Sequence, residues 1–226
     1  MNHHTAQTHE SRPARILIVD DHPLVREGLT ARINSQPDMQ TCGEAESVTQ
    51  ALAAIKATSP DLVVVDLQLA DSRGMDLIAE IHRRLPKLKM LVVSAFDESL
   101  YAERVLRAGA HGYINKRELQ DQVIEALRTV LQGHRYLNPA MTQCLLARAV
   151  SHSDPVDADP VSQFTDRELE VFQLLGAGHT NRQVAAQLDL SSHTVDTHLS
   201  NIRHKLGLKH TRELLVHAVQ WKIENG

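Results

Sequence analysis

Cysteine is scarce in this chain. Cys42 and Cys144 are its only two among 226 residues. They give no disulfide framework, and each reads as a reduced, buried, small apolar residue, which points to a cytoplasmic protein. Also missing is any apolar run near the ~20 residues that span a bilayer. Met1 to Ala14 is polar, so no secretory signal is expected there. Nor is there an excess of positive charge. The 24 Lys and Arg stand against 28 Asp and Glu, for a net charge of −4, which argues against a polybasic membrane anchor or an arginine-rich tail. No internal repeat and no long low-complexity segment is found. What is present, 42% apolar and 23% charged residues, is the composition of a soluble globular protein. The length suits one large domain or two small ones. His3, His4 and His9 could take up a metal adventitiously, but a disordered tail over residues 1–14 is the better reading.

From Arg15 to Gly133, strand-like runs alternate with helix-like ones. Ile16-Leu17-Ile18-Val19, Leu62-Val63-Val64-Val65 and Met90-Leu91-Val92-Val93 are unbroken apolar runs rich in β-branched residues, as strands buried on both faces of a parallel sheet are. Met39 to Gly43 and Gly112 to Asn115 add two more strands. Helical stretches lie between them, one opening with a Ser47-x-x-Gln50 capping box. The last of these shows Leu119, Val123, Leu127 and Val130 at helical spacing. The pattern predicts a (βα)5 domain with helices on both faces of its sheet. Residues 134–163 read as a linker with a helix at 140–150. Ser151 to Gln163, with two prolines and three aspartates, is its most linker-like part. Residues 164–226 hold four helix-length segments and no strand. Thr165-x-x-Glu168 and Thr180-x-x-Gln183 are helix starts, and Gly176, Gly178 and Gly207 are stops. The fold class is therefore α/β followed by an all-α, four-helix domain.

The first domain's strands end in reactive side chains. Asp20-Asp21 follow the first run, Asp66 the third strand, Ser94 the fourth and Lys116 the fifth. Ligands of open parallel sheets bind beyond the carboxyl ends of the strands, so these groups should share a pocket. Three carboxylates within several ångströms repel one another and raise at least one pKa. Mg²⁺ would remove that conflict with oxygen ligands. Asp66, facing it from a different strand, could attack a phosphoryl donor. Lys116 would offset charge on the transferred oxygens, and Ser94 could hydrogen-bond the new group. An aspartate after a strand is often only a turn former or helix cap. All of these residues at consecutive strand ends, in this order, is a much rarer coincidence, and the set is read as functional.

In the second domain, Val195, Leu199, Ile202 and Leu206 define one buried helical stripe. His193, Thr197, Ser200, Asn201 and His204 form the opposite face, with side chains suited to base edges. Ser191 is a good N-cap. A short Asp189-Leu190-Ser191 turn joins this helix to the one at Asn181 to Leu188, which makes a helix-turn-helix candidate. Charge is neutral here: residues 164–226 hold seven Lys or Arg and seven Asp or Glu. Between His193 and Arg212 the balance improves, with Arg203, Lys205, Lys209 and Arg212 against Asp196 alone. A four-helix packing module with a solvated face is the bland alternative.

Residues 15–133 resemble a response-regulator receiver domain, through Asp20-Asp21, Asp66, Ser94-Ala95 and Gly109-Ala110-His111-Gly112-Tyr113-Ile114-Asn115-Lys116. The resemblance implies a doubly wound, flavodoxin-like fold. It implies that Asp66 accepts phosphate from a sensor histidine kinase or a small phosphodonor. Asp20, Asp21, Asp66 and the backbone carbonyl of Gln68 would hold Mg²⁺. Ser94 and Tyr113 would form a switch pair, although an aromatic in a short strand also suits plain packing. Two positions depart from the family pattern: Ala70 and Arg117 stand where proline is common. Residues 164–226 are similar to the LuxR-type (GerE-type) helix-turn-helix, through Phe164-Thr165-Asp166-Arg167-Glu168, Asn181-Arg182-Gln183-Val184-Ala185, Thr194-Val195-Asp196-Thr197-His198 and Lys205-Leu206-Gly207-Leu208. That implies Asp196, Thr197, Ser200 and Asn201 facing the major groove of promoter DNA, with Arg182, Thr194, Arg203 and Lys205 on phosphates or fixing register. The last helix would make dimer contacts. Together the two resemblances imply the NarL/FixJ class: a cytoplasmic, phosphorylation-controlled transcription regulator that dimerises on activation. RNA polymerase stands as a further partner, and no membrane is involved. Such a chain is no enzyme beyond its own phosphorylation and dephosphorylation. Two rivals remain open. One is a constitutive DNA-binding protein whose receiver is a docking module. The other is an aspartyl-phosphate phosphatase resembling haloacid dehalogenases, which need Asp-x-Asp where this chain has Asp20-Asp21-His22-Pro23.

Overall fold

The computed structural model describes residues 12–69, 72–96, 98–150 and 160–225. The chain forms two compact units, Met1–Val150 and Ser151–Gly226. The first runs β1 (Ala14–Val19), α1 (Pro23–Asn34), β2 (Met39–Ala45), α2 (Val48–Thr58) and β3 (Leu62–Val65). A short antiparallel pair, β4 (Gln68–Leu69) and β5 (Ser72–Arg73), follows. Then come α3 (Gly74–Arg84), β6 (Lys89–Ser94), α4 (Glu98–Ala108), β7 (Gly112–Asn115), α5 (Leu119–Leu131) and α6 (Pro139–Val150). The five long-sheet strands are parallel, in the order β2-β1-β3-β6-β7. That is the flavodoxin-like doubly wound order.

Every residue of β3 is buried, as a strand covered on both faces requires. Ile16, Ile18, Leu62, Val64, Leu91 and Val93 pack with Leu29 and Ile33 of α1 and Val123, Leu127 and Val130 of α5. The two-residue period turns Leu17, Val63, Val65, Met90 and Val92 to the opposite face. Leu77 and Ile81 of α3 and Tyr101 and Val105 of α4 are buried as well.

Four sequence readings need adjustment. Ala14 belongs to β1, not to a tail, because its amide donates to the Asp38 carbonyl at 2.9 Å; residues 1–11 lie outside the described residues. The capping box at Ser47 is half formed. Ser47 Oγ accepts from the Gln50 amide, but Gln50 Oε1 takes the amide of Glu46 instead. Cys42 is half-buried rather than buried, because β2 is an edge strand; the side chain of Cys144 lies outside the described residues. Residues 134–150 are part of the first unit rather than linker. Tyr136 pairs with Gly112 along the free edge of β7, and the Asn138 amide donates to Glu98 Oε1 at 3.2 Å. The linker-like 151–159 lies outside the described residues.

The second unit contains α7 (Asp166–Gly176), α8 (Asn181–Gln187), α9 (Ser192–Lys205) and α10 (Thr211–Asn225). Both capping boxes form, at Thr165 with Glu168 and at Thr180 with Gln183. Phe172 centres the core, with Phe164 at 5.2 Å and Trp221 at 6.0 Å between ring centroids. Leu169, Val184, Val195, Leu199, Ile202 and Leu214 fill in around these rings.

Candidate functional site

The strand register assembles the pocket. Val19 is paired with Val65, and Val65 with Val92. Asp20 and Asp66 therefore leave neighbouring strands at the same level, and Ser94 ends the next strand. Ser94 in turn pairs with Asn115, which sets Lys116 beside it. Asp20, Asp66 and Ser94 are almost wholly buried. Lys116 Nζ lies 2.7 Å from Asp20 Oδ2 and 2.7 Å from Asp66 Oδ2. The Gln68 amide donates to Asp66 Oδ1 at 3.2 Å. Asp21 is half-buried, and His22 Nδ1 stands 2.7 Å from its Oδ1. The candidate ligand atoms of Asp20, Asp21, His22 and Asp66 all lie within 4.8 Å of one another.

Electrostatics follow from that crowding. Asp66 is raised from its ordinary 3.8 to about 6, mainly by burial; Lys116 opposes the rise and Asp20 adds to it. Burial pulls the Lys116 ammonium down, but Asp66 and Asp20 outweigh it and leave its pKa raised. One ammonium thus pairs with two carboxylates, and the third, Asp21, stands beside His22. Asp20 Oδ2 and Asp21 Oδ1 are buried with ion-pair neighbours but no aligned hydrogen bond. Oxygen donors so placed, with an unbalanced negative charge, fit Mg²⁺.

Two neighbours were not anticipated. His22 follows directly on the acidic pair, and adjacency in the chain was its only signal. Gly74 opens α3 where a Cβ would come 2.0 Å from the Asp66 carbonyl oxygen. Only glycine lets the two backbones approach this closely. The loop position Ala70 lies outside the described residues, and Arg117 is exposed. Ser94 Oγ accepts from the Phe96 amide at 3.2 Å. Tyr113 is fully buried, and its hydroxyl donates to the Phe96 carbonyl at 2.7 Å, beside Asn115 Nδ2 at 2.9 Å. The tyrosine is turned inward.

In the second unit, Ser191 caps α9 by accepting from the Thr194 amide at 3.0 Å. Asp189 makes the turn after α8 with φ of 50°, a conformation aspartate tolerates better than most residues. Val195, Leu199 and Ile202 are buried, while Leu206 is half-buried. On the other face Asp196, Thr197, Ser200 and Asn201 are exposed, as is Arg182 on α8. Asn181 Nδ2 donates to Asp196 Oδ1 at 3.1 Å, tying α8 to α9. Thr194 and Arg203 are half-buried. Lys205 is engaged inside the unit. Its ammonium contacts Glu168 Oε2 at 2.6 Å and the Gln163 carbonyl at 2.9 Å, and this places it apart from the exposed groups of α9.

Comparison with known proteins agrees with this division. The response regulator receiver domain family matches residues 16–128. The family of bacterial regulatory proteins described as luxR matches residues 162–218. Oxygen regulatory protein NreC of Staphylococcus aureus is 34% identical over 213 residues, covering 92% of this chain and 98% of NreC. A LuxR-family two-component response regulator from Aurantimonas sp. SI85-9A1 is 31% identical with a TM-score of 0.57, over 61% of this chain and 99% of that one. RcsB of Salmonella enterica serovar Typhimurium, bound to promoter rprA with the phosphomimetic BeF3−, shares the fold. It has 21% identity and a TM-score of 0.62, over 92% of this chain and 98% of that one. The chain belongs to the two-component response regulators that join a receiver domain to a LuxR-type helix-turn-helix DNA-binding domain.

Proposed function

We propose that Asp66 takes a phosphoryl group from a sensor histidine kinase or a small donor, and that the modified chain dimerises and binds promoter DNA. The observation that carries this reading is a carboxylate buried to 1% exposure, 2.7 Å from an ammonium, at the mouth of a parallel sheet. An Asp66 oxygen bonds to phosphorus as the bond from phosphorus to the donor's leaving group breaks. Lys116 balances the negative charge brought by the transferred oxygens. Asp20, Asp21, Asp66 and the Gln68 carbonyl are the residues that would hold Mg²⁺, which supplies further charge neutralisation when bound. Ser94 then turns toward the phosphoryl oxygens, and Tyr113, already turned inward, is held there as its switch partner.

On DNA, Asp196, Thr197, Ser200 and Asn201 face the major groove, and Arg182, Thr194 and Arg203 meet phosphates. Lys205, held by Glu168, keeps α9 in register with α7 rather than touching phosphate. Two copies set their recognition helices about one helical turn apart. The exposed Leu215, Val216 and Ile223 of α10 suit a contact with a second copy. RcsB, which shares this fold, has been seen bound to promoter DNA and as dimers on DNA, which supports DNA binding by a dimer here. Incubation with labelled acetyl phosphate and Mg²⁺ tests the chemistry. A hydroxylamine-sensitive label is expected, and it should be lost in Asp66→Asn.

One observation favours a second reading. Tyr113 is fixed inward by its bond to Phe96 and by its strand's pairing with Tyr136, so it is costly to swing out. A regulator that binds DNA constitutively, with the receiver as a docking module, fits that rigidity. Equal operator affinity of wild type and Asp66→Asn, with and without acetyl phosphate, would favour it.

A further inference from the structure

Asp21 is the least buried of the three pocket carboxylates, with 23% of its side chain exposed. His22 Nδ1 stands 2.7 Å from its Oδ1, and the Asp21 backbone is held on both sides. The His22 amide donates to Asp20 Oδ1 at 2.8 Å, which pins the peptide after Asp21. Arg26 pins the peptide before it, donating from Nη1 to the Asp20 carbonyl at 2.7 Å. The Asp20 amide is itself tied to the Ala45 carbonyl at 3.1 Å.

Among the described residues, Arg26 is the one buried cation, at 8% exposure. Its guanidinium is braced on its other edges. Nε contacts Glu44 Oε2 at 3.2 Å, and Nη2 contacts Glu46 Oε1 at 2.9 Å. Thr30 Oγ1 steadies Glu44 by donating to Oε1 at 2.8 Å. A planar fork gripped on several sides has little freedom left. Burying an arginine for packing alone is a poor choice, since an apolar side chain would serve as well without the desolvation cost. What Arg26 supplies and an apolar side chain cannot is a fixed donor aimed at the carbonyl between the two acidic residues.

We propose that Arg26 is a positioning residue for the divalent cation: by locking the Asp20–Asp21 peptide it aims the Asp21 carboxylate at the pocket. The inference rests on reading the pocket as a Mg²⁺ site. Groups that orient a metal ligand typically contribute about 10- to 100-fold in metal affinity.

The test is a Mg²⁺ titration of the full chain followed by backbone amide NMR shifts, with unfolding in EDTA read in parallel by circular dichroism. Arg26→Met is expected to weaken Mg²⁺ binding by roughly 10-fold or more. Arg26→Lys, which keeps a donor for the Asp20 carbonyl, is expected to recover part of that loss. A folded Arg26→Met that binds Mg²⁺ as tightly as wild type overturns the assignment. Should Arg26→Met fail to fold, the pair Glu44→Ala and Glu46→Ala decides. It removes both acceptors that brace the guanidinium while leaving Arg26 in place, and unchanged Mg²⁺ affinity there also overturns the assignment. A wild type that binds no Mg²⁺ sinks the pocket reading and this inference together. A wild type that binds Mg²⁺ normally but takes no phosphoryl group removes only the phospho-acceptor role and leaves that of Arg26 standing.

Discussion

Asp66 shows how one side chain carries both a cost and a function. Its folded pKa of about 6 lies above the ordinary 3.8, so the folded state holds its proton more tightly than the unfolded chain does. Stability of the first unit therefore falls as pH rises from 3.8 through 6, and the charged form costs up to about 3 kcal/mol above that window. In EDTA, Asp66→Asn should be more stable than wild type at pH 7.5 and should show a flatter pH profile between pH 4 and 7. Urea unfolding at several pH values checks this, and a variant no more stable than wild type would refute the crowding argument. Gly74 is the opposite case, a residue with no chemistry of its own. Gly74→Ala drives a methyl group into the Asp66 carbonyl. A loss of about 1–3 kcal/mol is expected, together with slower labelling by acetyl phosphate. The acidic residues were legible in the sequence because each follows an apolar run. Gly74 and Arg26 were not, since their partners, backbone atoms of the pocket and for Arg26 also Glu44 and Glu46, are brought near only by folding.

At the scale of elements, α7 and α9 are joined by an ion pair. Burial pushes the Glu168 carboxyl up, but Lys205 and the Thr165 amide outweigh it and leave its pKa below the ordinary 4.5. The resulting stability is present above pH 4.5 and is lost as pH falls through the lower folded value. Lys205→Met strands a carboxylate that is 3% exposed and should cost about 2–3 kcal/mol. Trp221, the chain's single tryptophan, reports unfolding of this unit by fluorescence. The same variant, tested at a temperature where it is folded, should keep the salt slope of DNA binding. Arg182→Ala should instead lower that slope by about one. The helix pattern predicted α9 and its buried stripe well, because a 3.6-residue period is written in the chain. The resemblance to the LuxR-type helix-turn-helix gives Lys205 to phosphates or to register; its contact with Glu168 has no local signal, because α7 meets α9 only on folding. The strap at Tyr136 was missed for a similar reason: one isolated pairing has no periodicity.

For the whole molecule, phosphorylation is expected to act through assembly. Treatment with acetyl phosphate and Mg²⁺ should move wild type, but not Asp66→Asn, toward dimer in sedimentation velocity. It should also tighten binding to a two-half-site operator by roughly 100-fold or more, since the second half-site then binds intramolecularly. Leu215→Lys with Ile223→Lys on α10 should remove most of that gain while leaving single half-site binding unchanged. If the paired variant binds the full operator as well as wild type, dimer contact through α10 is ruled out.

Local pattern along the chain is enough to fix the alternation of strands and helices, the two-domain plan, the acidic residues at strand ends and the polar face of α9. All of these are local patterns, set by side-chain period and by neighbours a few positions away. Tertiary structure alone decided that β1 lies beside β3 in matched register, so that Asp20 and Asp66 share one lysine. It also decided that Arg26 braces the turn at Asp21, that Glu168 captures Lys205, and that Tyr136 closes the sheet edge. These contacts link residues far apart along the chain, and their geometry exists only once the sheet and the helix layers have packed.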